Sequence, residues 1–515
     1  MRGKTLMKAI LIDELMARSG VGFGTSGARG RVEDMTPEVC YAYTTGFLQY
    51  LRGRGLLHAG GEVAIAGDLR PSTPGILAAV AQACRDAGHP VVHGGQVPSP
   101  AIAYFGLRHG LPSIMVTGSH IPEDRNGIKF NRPDGEILKP DEQGIRAQRV
   151  RLPEPFVPLG PEALPPVDAR VRDAYLRRYL DYLPDRPLEG MRVLVYQHSS
   201  VARDLLVALL EALGAEARPV GRAETFLPVD TEAIRPEDVA AAREWAETLA
   251  PDAIVSTDGD ADRPLVADER GEWFRGDVAG PLTARWLGIR RLATPVSSNT
   301  VVERCGWFEE VLRTRIGSPY VIEGMQELQQ KGGPVAGYEA NGGFLLASDV
   351  ERAGRRLSAL PTRDAVIVIL ALLCSAREQG LHLSGLRDAL PPRFTASDRL
   401  KQFPTERARA ILAGFLDAQG RPDVEAIERT FGPLAGRVVK TDTTDGLRIT
   451  FEGGDIIHLR PSGNAPEFRC YDEADSPRRA QELNRACLEV LRRLAGPAVG
   501  ATRTDDTGPA GTRSG

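Results

Sequence analysis

No apolar run in this sequence is long enough to cross a bilayer. The longest, Ala365 to Cys374, is about half the ~20 residues that a spanning helix needs, and it reads as a buried helix. Cysteine is scarce and scattered. The six residues (Cys40, Cys84, Cys305, Cys374, Cys470, Cys487) contain no Cys-x-x-Cys pair, so a disulfide framework is not expected and they read as small core residues. An excess of one charge is also missing. Sixty-four Lys and Arg stand against 68 Asp and Glu, a net charge of −4. No broad basic field draws nucleic acid, and an anionic substrate would need a local basic pocket. The stretch from Met1 to Met16 is basic and then briefly apolar. Asp13 and Glu14 interrupt it and no small-residue cleavage site follows, so a signal peptide is not expected. From these features a reducing cytoplasm is expected, with neither nucleic acid nor membrane as partner.

What is present is ordinary globular composition, 42% hydrophobic and 26% charged over 515 residues. That length calls for about three to five domains. Strand-like and helix-like stretches alternate through most of the chain, the pattern of α/β units with a largely parallel sheet. In the first segment, Glu62–Gly67, Ser113–Thr117 and Gly127–Asn131 read as strands and Thr73–Asp86 as a helix. A Pro-rich linker is expected from Leu152 to Pro166. In the second, Met191–Tyr196 and Asp252–Thr257 read as strands, with helices over Leu205–Leu213 and Pro236–Leu249. The third has strands over Arg291–Ser297 and Pro334–Tyr338, and helices over Ser318–Lys331 and Thr362–Glu378. The fourth differs. Gly446–Phe451, Asp455–Arg460 and Glu467–Asp472 are closely spaced strands ahead of a helix over Pro477–Leu494, an α+β module with a mainly antiparallel sheet. Expected domains are residues 1–155, 166–275, 276–390 and 391–494, with 495–515 a disordered tail. The element pattern allows the three α/β segments to be a diverged repeat.

Five clusters could carry chemistry. Thr117-Gly-Ser-His-Ile-Pro122 follows a strand directly, where open α/β sheets bind ligands. Gly118 permits a sharp turn and presents Ser119 on an exposed loop, and Lys129 brings a cation near. The bland alternative is a polar turn. A hydrolase elbow needs Gly-x-Ser-x-Gly, which is not met here. Asp258-Gly-Asp-Ala-Asp-Arg263 follows another strand. In extended geometry Asp258, Asp260 and Asp262 point one way. Three adjacent carboxylates suit a hard divalent cation, Mg²⁺ or Ca²⁺, and Arg263 suits phosphate. A calcium loop would need Gly where Arg263 stands. Gly337–Phe344 places Glu339 and Asn341 two apart on a Gly-rich loop, able to read vicinal sugar hydroxyls. Arg460-Pro-Ser-Gly-Asn-Ala-Pro466, with Arg469, makes a small anion cradle. Phe23–Gly30, which includes Arg29, also suits an anion and is placed before the first strand. Alone, Gly337–Phe344 is equally a Gly-rich turn and Arg460–Pro466 equally a polar hairpin loop, while Phe23–Gly30 reads more readily as an ordinary turn.

In this order the clusters resemble the α-D-phosphohexomutase family, from Phe23 to about Ala474. The resemblance implies three similar α/β domains with mixed, largely parallel sheets plus a smaller C-terminal α+β domain, arranged around a central cleft. It implies that Ser119 carries a phosphoryl group, and that Asp258, Asp260 and Asp262, with Ser119, hold Mg²⁺. It implies that Glu339 and Asn341 read the sugar. Arg460, Ser462, Gly463, Asn464 and Arg469 would clamp the non-reacting phosphate, with Arg29, Lys129 and Arg263 lining the transfer site. The substrate would be a hexose phosphate, isomerised between its 6- and 1-phosphates through a hexose 1,6-bisphosphate that is also the activator. The enzyme would act as a monomer or dimer. Lys129 and His120 are the candidate general bases, and Lys129 would need a depressed pKa for that task.

The chain departs from the family pattern in four places. Ile121 stands where Asn is common, Asn341 where Ser is common, and Gly343 where some members have His. The phosphate loop reads Ser-Gly-Asn-Ala-Pro rather than Ser-Gly-Thr-Glu-Pro. Glu-Ala-Asn-Gly-Gly-Phe is similar to some bacterial phosphomannomutases. Phosphoglucomutase and phosphoglucosamine mutase are the alternatives within the family, and a sugar-phosphate binding protein without catalysis is the alternative of another class. A Mg²⁺-dependent phosphatase with an aspartyl nucleophile lacks its Asp-x-Asp-x-Thr context.

Overall fold

A computed structural model describes residues 6–24, 27–462 and 466–496. The expected tail lies outside the described residues from 497 onward, and Ala495 itself still closes a helix, Pro477–Ala495. The chain divides into two compact units, Met1–Pro392 and Arg393–Gly515.

The first unit contains three sheets built on one plan. In the first, strand Val63–Gly67 lies between parallel partners Val91–Gln96 and Ser113–Val116, and Arg125–Arg132 joins antiparallel beyond Ser113–Val116. The second sheet repeats this with Arg192–His198 between Glu216–Arg222 and Ala253–Thr257, and antiparallel Pro264–Ala267 beyond. The third repeats it again with Arg291–Pro295 between Glu310–Thr314 and Val335–Tyr338, and antiparallel Phe344–Leu346 beyond. The repeat is therefore a repeat of topology. The inner strands Val63–Gly67, Ser113–Val116, Ala253–Thr257 and Val335–Tyr338 are buried along their whole length. That is why they read as continuous apolar runs, because helices cover both faces of a parallel sheet.

Two expectations about the first segment are corrected. Phe23–Gly30 does not precede the sheet as a loop. Gly22–Phe23 and Gly27–Arg31 are strands, the second paired antiparallel with Arg125–Arg132 so that Arg29 faces Gly127. Pairing overrides the poor strand propensity of glycine. Thr25 and Ser26 lie outside the described residues. The Pro-rich linker also begins inside a strand. Arg149–Glu154 pairs with Leu6–Leu11, and Leu152 is buried there.

Helix Ala365–Gln379 is buried from Ala365 to Ala376. Asp364 caps it, accepting from the Val366 amide, which satisfies an amide that the first turn leaves free. Helix Arg170–Leu180 sends Tyr175 and Tyr179 to the two oxygens of Asp364, at 2.7 and 2.5 Å. One hydrophobic cluster runs from Ala64 of the first sheet through Val193 of the second to Leu292 of the third and Val366.

The second unit is a five-stranded antiparallel sheet in the order Phe394–Leu400, Phe468–Ala474, Ile456–Pro461, Leu447–Phe451, Val438–Asp442. Helix Pro477–Ala495, capped by Ser476, covers it through Leu483, Cys487, Leu488 and Leu491. The outer strands and the helices Thr405–Ala413 and Val424–Ala435 were not expected from sequence. Among the described residues, no helix is long and apolar enough to cross a membrane.

Candidate active site

Each α/β sheet places one sequence cluster at the same point, between its third strand and the antiparallel fourth. The Ser119 loop joins Ser113–Val116 to Arg125–Arg132. The three-aspartate loop joins Ala253–Thr257 to Pro264–Ala267. The Glu339 loop joins Val335–Tyr338 to Phe344–Leu346.

Ser119 sits in the left-handed region, φ 55°, which is uncommon for a residue with a Cβ. Two buried residues hold it there. Asp68 accepts from the Thr117 hydroxyl at 2.8 Å and the Gly118 amide at 3.3 Å, and it pairs with Arg70. Arg70 donates to the carbonyls of Ser119, Ile121, Pro122 and Arg125, at 3.0, 2.5, 2.7 and 3.0 Å. It also stacks on Phe226, 4.0 Å from the ring centre. Gly118 must be glycine, because a Cβ there would stand 2.6 Å from the Arg70 guanidinium carbon. Ser119 is not presented to solvent as expected: it is 2% exposed. The aspartate loop covers it, and its Oγ donates to Asp258 Oδ2 at 2.6 Å.

The aspartates converge, though not by strand alternation. The loop is a tight turn closed by the Asp258 amide on the Arg263 carbonyl, with Ala261 at φ 58°. Asp258 Oδ1 accepts from the amides of Asp262 and Arg263. One oxygen from each aspartate lies within 4.8 Å of the others. Lys129 donates to Oδ2 of Asp260 at 2.5 Å and of Asp262 at 2.7 Å. Ser99 donates to Asp260 Oδ2 at 2.6 Å, and its amide donates to the Asp260 carbonyl at 2.8 Å. The other oxygens, Oδ1 of Asp260 and of Asp262, are buried without a hydrogen bond. Buried carboxylate oxygens without donors are expensive. Burial, Asp260 and Asp262 push the Asp258 carboxyl well above its usual range. Both facts fit a hard cation with oxygen ligands, and Mg²⁺ suits the donor set.

Four cations face these carboxylates. Arg263 and Arg363 keep raised pKa values despite burial, held by Asp262 first. Arg29 is lowered to about 10 by burial and by Arg263 and Arg363. Lys129 corrects an expectation. Burial alone would lower its pKa, but Asp260 and Asp262 carry it above the ordinary value, opposite in direction to the depression expected for a base. His120 is pulled down to about 3, first by Arg263 and then by burial. Its Nδ1 lies 3.3 Å from Ser119 Oγ and accepts from Arg263 at 3.0 Å, so its lone pair is already engaged by a cation.

On the third loop Glu339 is buried and accepts from Arg363 at 3.3 Å. Asn341 turns its side-chain oxygen to the Gly343 amide at 3.0 Å, and its carbonyl accepts from Thr231 at 2.6 Å. In the second unit, Arg460 and Arg469 face each other across adjacent strands. Arg460 pairs with Asp445 at 2.9 Å and Arg469 with Glu467 at 3.1 Å. Ser462 is buried, and Gly463 and Asn464 lie outside the described residues.

Sequence reasoning missed Asp68, Arg70, Ser99 and Arg363. The Asp-x-Arg spacing just after strand Val63–Gly67 was a usable signal, because an acid and an arginine at a strand's carboxyl end build turns. Ser99 and Arg363 left none, since their partners lie far away in the chain.

Residues 20–152, 174–271 and 278–394 match the phosphoglucomutase/phosphomannomutase alpha/beta/alpha domains I, II and III, and residues 416–490 match the C-terminal domain. A phosphomannomutase of Sinorhizobium fredii is 45% identical over 92% of this chain and 99% of its own. One of Salmonella muenchen is 42% identical over 94% and 98%. Phosphoglucosamine mutases are more distant, for example 30% identical for that of Symbiobacterium thermophilum. A phosphoglucomutase/phosphomannomutase family protein of Burkholderia thailandensis shares the fold with TM-score 0.70 at 21% identity, covering 92% of this chain and 97% of that one. With all four domains matched in order, and relatives this similar along nearly their whole length, the chain belongs to the phosphoglucomutase/phosphomannomutase family.

Proposed function

We propose that this chain interconverts mannose 6-phosphate and mannose 1-phosphate through a phosphorylated Ser119 and a hexose 1,6-bisphosphate intermediate. The observation that carries this reading is the 2.6 Å contact between Ser119 Oγ and Asp258 Oδ2, which joins the phosphoryl carrier to the carboxylate loop. Phosphoryl transfer depends on alignment and charge neutralisation. Asp258, Asp260, Asp262 and Ser119 would hold Mg²⁺, which when bound offsets charge on the transferred group. Arg29, Lys129 and Arg263 are cations around the same point and stabilise the same charge. His120 orients against Ser119 and Arg263. Glu339 and Asn341 read the sugar hydroxyls. Arg460, Ser462, Gly463, Asn464 and Arg469 hold the phosphate that is not reacting. The intermediate turns over so that its other phosphate returns to Ser119.

Domain divisions at 155/166, 275/276 and 390/391 are supported by one sheet of four or more strands in each segment. The enzyme is proposed to act in the cytoplasm as a monomer or dimer.

The test is Ser119→Ala, assayed on mannose, glucose and glucosamine phosphates with a catalytic amount of bisphosphate, alongside mass spectrometry of the wild type. The wild type should carry one serine phosphate and show its highest kcat/KM on mannose phosphate, and the variant should be folded and inactive. A variant with full turnover would remove the covalent role. Release of free phosphate without isomerisation would point to a phosphatase.

A further inference from the structure

Position 343 is glycine, and a Cβ built there would lie 2.5 Å from Cδ and 2.7 Å from Cγ of Arg363. No side chain fits unless Arg363 moves. Arg363 stands just before the buried helix Ala365–Gln379 and is 6% exposed. Its stem fills the space above Gly343, and its guanidinium reaches two loops. One nitrogen lies 3.0 Å from Asp262 Oδ2 and another donates to Glu339 Oε2 at 3.3 Å. Its Nε is buried without a hydrogen bond. A planar fork can hold two carboxylates in fixed relation, and a lysine cannot.

We propose that Arg363 is a positioning residue that fixes Glu339 against the three-aspartate loop, and that position 343 is glycine in order to admit it. This rests on the assignment of Glu339 to the sugar and of Asp262 to the metal. Arg363 therefore acts in opposite directions on the two ligands. It holds the carboxylate that reads the sugar, and it withdraws negative charge from the loop that binds the cation. A residue with a merely structural role would weaken both when removed.

The test compares wild type, Arg363→Met, Arg363→Lys, Gly343→Ala and the Gly343→Ala/Arg363→Met double variant. Each is measured for sugar-phosphate KM and kcat, and for Mn²⁺ binding to the unphosphorylated protein by electron paramagnetic resonance. Arg363→Met should raise KM about tenfold or more, the scale of one charge-assisted hydrogen bond, while tightening Mn²⁺ binding. Arg363→Lys should keep Mn²⁺ affinity near wild type yet still raise KM. Gly343→Ala should reproduce the KM rise, and the double variant should add little to Arg363→Met, because the two changes act on one contact. An unchanged KM in Arg363→Met, parallel loss of both affinities, or fully multiplicative effects in the double variant would overturn the proposal. A wild type without metal-dependent mutase activity would instead sink the assignment of the site itself.

Discussion

Ser119 owes its geometry to a buried residue, Arg70, which is 1% exposed. Arg70 spends its donors on four loop carbonyls and on Asp68, and so fixes the backbone that the left-handed serine requires. Arg70→Met should lower kcat by about 100-fold, the penalty of a misplaced reacting group. Arg70→Lys should recover little, since one ammonium cannot span four acceptors. Steady-state kcat and the Ser119 phosphate content, measured together, decide this; a normal kcat in Arg70→Met would refute it. Thr117–Pro122 was legible because turn residues announce turns. The Asp68-x-Arg70 spacing hinted at a turn, but the loop that Arg70 holds was not legible, because its other partners are main-chain carbonyls, which no side-chain pattern marks.

Among elements, most central strands were legible and the edge strands were not. Ala253–Thr257 is a plain apolar run, whereas Glu216–Arg222 is an edge strand with no buried residue, so nothing in its sequence alternates or clusters. The strand Phe468–Ala474 was read from sequence, but its buried acid was not. Asp472 is fully buried and accepts from Cys470 at 3.0 Å and Asn484 at 2.7 Å. Burial outweighs these two donors and lifts its pKa from 3.8 to about 7. A raised carboxyl means the folded state holds its proton longer than the unfolded state. Stability from this group is therefore full below about pH 4 and falls as pH rises to about 7. Asp472→Asn should remove that slope. Thermal melts at pH 5 and pH 8 should show the variant losing less on going to the higher pH than the wild type; equal losses would contradict the account.

At the scale of the whole first unit, the contacts that assemble the site were invisible in sequence because they join distant segments. Ser99 grips Asp260 by amide and hydroxyl, and Asp364 receives two tyrosines. One apolar cluster underlies them. Lys129, Arg263 and Arg363 already pair with part of the aspartate loop, so the fold should persist when divalent cations are chelated, with mutase turnover lost. Adding Mg²⁺ should then raise the melting temperature by a few degrees, since saturation at about 100 times Kd contributes roughly 2.7 kcal/mol. Asp260→Asn should abolish that rise. Calorimetry with and without chelator tests both, and an Asp260→Asn protein that still gains from Mg²⁺ would place the cation elsewhere.

The seclusion of Ser119, 2% exposed beneath the aspartate loop, bears on time as well as place. A phosphoester formed there, as proposed, would be shielded from bulk water, and so from the hydrolysis that would discharge it. Shelter of that kind would let the proposed phosphoenzyme remain charged through long idle periods, so that little bisphosphate would be needed to prime it.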